Sequence, residues 1–270
     1  MPQPHALSDG VNYACLASNG VDLVFLMGGS QQSTGGSILN AFNVYNVSEN
    51  SWSVAANMPI ALMDHMCTYV KSTARLMVIG GRTYSENASD LWYRTVSDVT
   101  YVESENEMSS DYEWHVMDSG ISAARCCGRA LSVMNGDGTN EYVFVIGGYE
   151  GENRINYRRI DAYDVNRKVW WDYDGLNIAR RNFVAVAVPD EALNSTRMWI
   201  FGGYEVNSIE VSEANTLKSV APSDSPTSAP TPCMAVCSVV LPIHMYIYFG
   251  IVYSMDVWLY GCMAVWNLDM

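Results

Sequence analysis

Four short apolar runs, each ending in two adjacent glycines, recur along the 270-residue chain. The runs are LVFLMGG, LMVIGG, VFVIGGY and MWIFGGY, and their first glycines are 52, 67 and 55 residues apart. Runs this short and this rich in Val, Ile and Phe favour strands over helices, and glycine permits the backbone conformations needed where such strands end. The regular spacing predicts a chain built from repeated supersecondary units.

Each unit carries further positions in a fixed order. After the glycines comes a Tyr that is followed seven residues later by a Trp, as in Tyr45 and Trp52 and again in Tyr163 and Trp170. In the second unit, an acidic insert after Tyr101 delays the Trp. A turn with Met-Pro or Ala-Arg then leads into another apolar strand. The pattern therefore predicts four strands in each unit.

This order of strands and turns resembles the kelch repeat, a four-stranded blade of a β-propeller. Arg125 and Arg180 stand where the family places an arginine before the first strand of a blade, and the resemblance implies that they pair with backbone or neighbouring blades. The other positions that carry the resemblance are structural ones, namely Gly28, Gly29, Gly80, Gly81, Gly147, Gly148, Gly202, Gly203, Tyr45, Trp52, Tyr163 and Trp170.

The C-terminal stretch permits two interpretations. In the kelch register, MYIYFG ends at Gly250, and Tyr260 and Trp266 follow in phase, which indicates a fifth, degenerate unit. However, residues 234–255 carry no Asp, Glu, Lys or Arg, and this is about the length of a transmembrane helix. Because Pro242 and several tyrosines interrupt the stretch, strands are the preferred interpretation, and a membrane anchor is the alternative.

The resemblance implies an all-β fold, a kelch-type β-propeller of four-stranded antiparallel blades with about five blades. A fragment of a larger propeller is the alternative. The expected units are approximately 1–56, 57–118, 119–174, 175–221 and 222–270.

The expected binding surface is the face formed by the loops after the double glycines and the turns that lead into the first strands. In an acidic chain, these loops concentrate arginine and aromatic residues, which suit an acidic or phosphorylated peptide. The predicted partner-binding residues are Arg82, Tyr84, Trp92, Arg94, Tyr149, Arg154, Tyr157 and Arg158.

The net charge of the chain and its lack of catalytic motifs restrict the classes of function that we expect. With 29 acidic and 15 basic residues, the net charge of −14 argues against a nucleic-acid partner. The four histidines are scattered and no catalytic or phosphate-binding motif is found, so we expect a non-enzymatic module without metal or cofactor. A copper enzyme of the galactose-oxidase type, which uses the same scaffold, is the alternative.

The seven cysteines form an odd number with no C-x-x-C pair, which predicts buried free thiols and a reducing compartment. The first residues show no basic segment followed by an apolar run, so no secretory signal is expected. The preferred location is therefore the cytoplasm, with a membrane location as the alternative.

Overall fold

The computed structural model shows an all-β chain. It describes residues 10–31, 37–85, 93–103, 112–136, 138–190, 195–204, 206 and 208–213. Within these ranges, helical backbone is confined to one 3-10 turn at Lys71–Thr73.

The described strands fall into four groups along the chain. The first group contains β1 (Cys15–Ser18), β2 (Leu23–Met27), β3 (Ser30–Gln31), β4 (Ser37–Ile38), β5 (Phe42–Asn46) and β6 (Ser51–Val54). The second contains β7 (Met66–Val70), β8 (Arg75–Ile79), β9 (Arg82–Tyr84), β10 (Tyr93–Thr95), β11 (Val99–Glu103) and β12 (Trp114–Val116). The third contains β13 (Arg129–Met134), β14 (Glu141–Ile146), β15 (Tyr149–Glu150), β16 (Ile155–Asn156), β17 (Ile160–Asp164) and β18 (Val169–Tyr173). The fourth contains β19 (Val184–Asp190), β20 (Ser195–Phe201) and β21 (Ile209–Glu213).

Each group forms one main antiparallel sheet, which we call a blade. Blades 1, 2 and 3 have the strand orders β1-β2-β5-β6, β7-β8-β11-β12 and β13-β14-β17-β18, and blade 4 has the order β19-β20-β21. In the first three blades, a small two-stranded hairpin connects the second strand to the third. These are hairpin 1 (β3-β4), hairpin 2 (β9-β10) and hairpin 3 (β15-β16).

The four blades are arranged as in a β-propeller, with their first strands innermost. Strand β7 packs between β1 and β13, and β13 in turn packs against β19. A separate apolar cluster fills each space between neighbouring blades, with Phe25 and Leu76 between blades 1 and 2, and Phe144 and Met198 between blades 3 and 4. The core of the described region is therefore made of blade faces that cover each other, as the repeat pattern predicts.

A line of main-chain hydrogen bonds joins the blades near the axis. The residues two positions before the first strands are Tyr13, Asp64, Cys127 and Asn182, and all four adopt a left-handed φ of 52° to 61°. The N–H of Asp64 donates to the carbonyl of Tyr13 at 2.9 Å, that of Cys127 to Asp64 at 2.9 Å, and that of Asn182 to Cys127 at 2.8 Å. These bonds explain why four residues other than glycine keep a conformation that is costly in isolation.

The double glycines are required because a neighbouring blade approaches their backbone. Gly80 has a φ of 59°, and a Cβ placed on it would lie 2.5 Å from the carbonyl oxygen of Arg125 in the turn that leads into blade 3. The N–H of Gly81 donates to the same carbonyl at 2.9 Å. A side chain at Gly80 would therefore push two blades apart.

Replacing Gly80 with Ala is expected to lower the free energy of unfolding by about 3 kcal/mol, since a strained φ and a clash with backbone act together. Gly138 is the matched control, because its φ is 72° but nothing lies within 4 Å of its Cβ position. Gly138→Ala is expected to cost about 1 kcal/mol. Urea denaturation measures both values, and equal losses would contradict a close approach between blades.

The arginines before blades 3 and 4 are fully buried and bind within their own blades. Arg125 forms an ion pair with Asp161. Arg180 donates to the carbonyl of Gly202 at 2.6 Å and to the carboxylate of Glu210 at 2.5 Å. Each arginine ties the turn before a blade to the second and third strands of that blade.

The Tyr and Trp positions form cross-strand pairs on the outer strands. Tyr45 faces Trp52 with ring centroids 5.1 Å apart, and Tyr163 faces Trp170 at 5.0 Å. In blade 2, Tyr101 faces His115. Trp114, the tryptophan after the acidic insert, pairs with Val102 instead of Tyr101. The Tyr–Trp pairing of blade 2 is therefore shifted by one residue relative to blades 1 and 3.

The expectation of free thiols is wrong for Cys15 and Cys67, which form a disulfide. Their Cα atoms are 6.1 Å apart and 52 residues separate them in sequence. Because β1 and β7 are adjacent innermost strands, the bond joins blade 1 to blade 2. By contrast, Cys126 and Cys127 are buried free thiols, as expected.

His65 makes the stability sensitive to acid. Burial lowers its pKa from 6.5 to about 4, and neither ring nitrogen has a hydrogen-bond partner among the residues that the structure describes. The unfolded chain therefore takes up a proton at a higher pH than the folded chain does, and stability falls as the pH drops below about 6.5. Between pH 7 and pH 5, this group alone is expected to remove about 2 kcal/mol.

Urea denaturation of wild type and His65→Met at both pH values isolates this effect, because the other titrating groups are common to both proteins. The variant should lose about 2 kcal/mol less than wild type between pH 7 and pH 5. An identical loss in the two proteins would show that His65 is not the group responsible.

Candidate functional site

One end of the blades carries all the hairpins. In blades 1 to 3, the chain leaves this end in the first and third strands and returns to it in the second and fourth, because neighbouring strands are antiparallel. The turns that lead into the next blade therefore lie beside the hairpins. We call this end the hairpin face, and it consists of hairpins 1 to 3 together with residues 11–14, 60–65, 121–128 and 176–183.

Hydrogen bonds tie neighbouring hairpins together. The backbone N–H of Ile38 in hairpin 1 donates to the hydroxyl of Tyr84 in hairpin 2 at 2.7 Å. Thr95 of hairpin 2 donates from its N–H and its hydroxyl to the carboxylate of Glu152 in the hairpin 3 turn, at 2.6 Å and 2.5 Å. Partial burial of Glu152 opposes ionisation, but these hydrogen bonds outweigh it and lower the carboxyl pKa. The hairpins of three blades thus form one continuous surface.

Arg82 lies within this surface, with its side chain only 20% exposed. Its guanidinium forms an ion pair with Asp64 at 3.1 Å and donates to the sulfur atoms of Cys126 and Cys127, at 3.2 Å each. The ring of Tyr93 covers the guanidinium at 4.7 Å. Arg82 is therefore engaged on several sides by the protein itself.

Arg181 lies between two tyrosine rings. Its guanidinium carbon is 4.0 Å from the ring centroid of Tyr149 and 4.4 Å from that of Tyr204. One terminal nitrogen is 3.4 Å from the side-chain oxygen of Asn156. Within the described ranges, no carboxylate lies within 4.0 Å of Arg181, whereas Arg82, Arg125 and Arg180 all have one.

Three further predicted residues belong to hairpin 3 and the segment after it. Arg154 is exposed at the hairpin turn with a φ of 56°, and Arg158 donates from its Nε to the carbonyl of Leu176 at 2.6 Å. Tyr157 donates its hydroxyl to Glu150 at 2.7 Å, and burial, reinforced by this hydrogen bond, raises the pKa of Tyr157 to about 12. Hairpin 3 also contributes Tyr149 and Asn156, which contact Arg181 directly.

Hairpin 2 carries the other two described positions. Tyr84 is 47% exposed, and the Arg94 side chain is exposed in the opposite strand of the same hairpin. Trp92, which was predicted beside them, lies outside the described residues.

The positions of the fifth unit also lie outside the described residues. These are Gly250, Tyr260 and Trp266 within residues 222–270, together with the proposed span at 234–255. Among the residues that the structure does describe, no helix is long and apolar enough to cross a membrane.

Sequence reasoning missed Arg181, although alignment of the units contained the signal. The side chain of Arg180 points into blade 4 and is fully buried. The side chain of the next residue, Arg181, must therefore point away from the interior of that blade. The carbonyl of Arg181 accepts the N–H of Tyr204 at 2.9 Å, just as the carbonyl of Cys126 accepts the N–H of Tyr149 at 2.8 Å. The residue after the inward arginine is therefore paired with the residue after the second glycine.

In the described part of the chain, no three His, Cys, Asp or Glu side chains lie together in a way that could hold a metal ion. Comparison with protein-family models finds no family that matches the chain. Comparison with curated proteins finds no match either.

Proposed function

We propose that this protein is a non-enzymatic interaction module of the kelch type, which binds a protein or peptide partner on the hairpin face. The observation that carries the proposal is the guanidinium of Arg181, held between the rings of Tyr149 and Tyr204 without a carboxylate from the described residues. Arginine and tyrosine are the residue types that most often dominate the energetics of protein interfaces.

The geometry of Arg181 suits an anionic group on the partner. The centroids of both tyrosine rings lie within 4.4 Å of the guanidinium carbon, so we expect a ligand to approach the N–H edge of the guanidinium. At that edge, paired N–H groups bind a carboxylate or phosphate in a bidentate manner. The favoured partner is therefore an acidic or phosphorylated segment, and Arg154 is a further exposed arginine on the same face, in the turn of hairpin 3.

Binding of fluorescein-labelled acidic and phosphoserine-containing decapeptides, measured by fluorescence anisotropy, tests this function. Arg181→Ala is expected to weaken binding by about 30-fold, and Arg181→Lys by about tenfold because lysine lacks the planar fork. Arg167→Ala is the matched control, since its side chain is 82% exposed in a turn at the opposite end of blade 3. Unchanged binding in Arg181→Ala would reject the site.

The kelch assignment and the number of five blades are part of the same proposal. The double glycines and the paired Tyr and Trp support the assignment, and the repeat positions in residues 222–270 support a fifth blade. The outer face of blade 4 adds support because it is apolar and exposed at Val184, Val188 and Ile209. A propeller covers such a face with a further blade.

The alternative for the same segment is a membrane anchor at residues 234–255. Expression of the full chain without detergent, followed by an alkaline wash of the membranes, separates the two proposals. Recovery in the supernatant supports a fifth blade, whereas retention that is lost when the chain is cut at Pro232 supports an anchor.

A further inference from the structure

Two adjacent thiols lie beneath the hairpin face. Cys126 and Cys127 occupy the turn that leads into blade 3, and their sulfur atoms are 3.0 Å apart. A disulfide requires about 2.05 Å, so the two sulfurs need to approach by roughly 1 Å. The left-handed φ of 61° at Cys127 turns both side chains to the same side of the backbone.

The surroundings of this pair favour a thiolate on Cys127. Arg82 donates one N–H to each sulfur at 3.2 Å, and the two sulfur atoms are within hydrogen-bond distance of each other, with either able to donate. With Cys126 as the donor, this hydrogen bond lowers the pKa of Cys127 and raises that of Cys126. Arg82 reinforces the effect on Cys127, while burial and the nearby carboxylate of Asp64 oppose it. A thiolate beside a neutral thiol is the arrangement found in reactive dithiols.

We propose that Cys126 and Cys127 form a redox-active dithiol, which hydrogen peroxide oxidises to a disulfide between these two neighbouring residues. Arg82 is the positioning residue for the reaction, because its guanidinium contacts both sulfurs. Both thiols are at most 4% exposed, so the oxidant must be as small as a peroxide.

The reaction takes place in two balanced steps. The Cys127 thiolate attacks one peroxide oxygen and the O–O bond breaks, which gives a sulfenic acid on Cys127 and a hydroxide. The hydroxide takes up the proton that Cys127 released on ionisation and leaves as water. The sulfur of Cys126 then attacks the sulfur of Cys127 and the S–O bond breaks. The departing hydroxide takes the proton of Cys126 and leaves as a second water. Overall, two thiols and one peroxide give one disulfide and two water molecules.

Peptide mapping of the full chain tests the reaction. The protein is treated with hydrogen peroxide, quenched with catalase, alkylated with N-ethylmaleimide in denaturant and digested with trypsin. Cleavage after Arg125 and Arg129 releases the tetrapeptide Cys126–Arg129. We expect this peptide to be two hydrogens lighter than the dithiol and unalkylated, and to become doubly alkylated after reduction. Double alkylation without reduction, or oxidation of Cys127 beyond sulfenic acid, would overturn the proposal.

Two variants test the roles of the individual residues. In the Cys126→Ser variant, oxidation should stop at the sulfenic acid on Cys127, which dimedone traps. The Arg82→Met variant should oxidise about tenfold more slowly than wild type. The control Arg167→Met, whose side chain is 82% exposed in a turn at the opposite end of blade 3, should keep the wild-type rate. Oxidation of Arg82→Met at the wild-type rate would overturn the role of the guanidinium. The wild-type peptide map remains decisive even if a variant fails to fold.

Discussion

Replacing Arg125 with Met is expected to lower the free energy of unfolding by about 4 kcal/mol. Arg125 is completely buried, and its carboxylate partner Asp161 is 2% exposed. The guanidinium also donates to the carbonyl of Gly147 at 2.8 Å and to that of Val145 at 3.1 Å. Methionine fills most of the volume but removes the buried partner of Asp161, whose carboxylate then keeps only the half-exposed Arg159 at 3.4 Å and the hydroxyl of Ser122. Breaking a buried ion pair in this way is costly.

Urea denaturation measures this loss, and Arg75→Met provides the control. Arg75 also forms an ion pair, with Glu103 at 2.6 Å, but the two side chains are 27% and 41% exposed. Removing that surface pair should cost less than about 1 kcal/mol. A double variant, Arg125→Met with Asp161→Leu, should recover part of the stability because no buried charge remains. A loss below about 1 kcal/mol for Arg125→Met alone would mean that this arginine does not hold blade 3 together.

Reduction of the Cys15–Cys67 disulfide is expected to lower the free energy of unfolding by about 4 kcal/mol in the chain-entropy description, because the bond closes a loop of 52 residues. The bond lies between the innermost strands of blades 1 and 2, where the main-chain bond from Asp64 to Tyr13 also joins them. Its loss should therefore act mainly on the separation of these two blades.

The urea midpoint with and without dithiothreitol measures the contribution of the bond. The variant Cys15→Ala with Cys67→Ala is the control, because it should start near the stability of the reduced wild type and not respond to dithiothreitol. An identical midpoint for oxidised and reduced wild type would show that the bond is absent in solution or adds no stability.

The blades could be predicted from the sequence because each repeated feature has a local cause. The double glycines mark places where backbone meets backbone, as Gly80 does against Arg125, and such contacts recur at Gly28 and Gly147, in the other units that a described blade follows. Tyr and Trp seven residues apart face each other across a tight turn, as Tyr45 and Trp52 do. These interactions act within one unit or between adjacent units, so spacing alone reveals them.

The candidate site could not be predicted in the same way, because it is formed by contacts between residues that are far apart in the sequence. Arg82 was predicted to face a partner, but it contacts Asp64 and two thiols from the turns before blades 2 and 3. Arg181 was missed because its tyrosine neighbours come from two different blades. The pairing of Cys15 with Cys67 likewise depends on which strands become neighbours, and an odd number of cysteines gives no unique pairing.

Hydrogen–deuterium exchange with and without an acidic phosphopeptide tests the central claim, that the hairpin face recognises a partner. We expect the peptide to slow exchange in residues 149–157 and 176–183, which surround Arg181 on the hairpin face. The turns at the opposite end, residues 19–22, 135–140 and 165–168, should exchange as in the free protein. Protection confined to those opposite turns would contradict the proposed binding face.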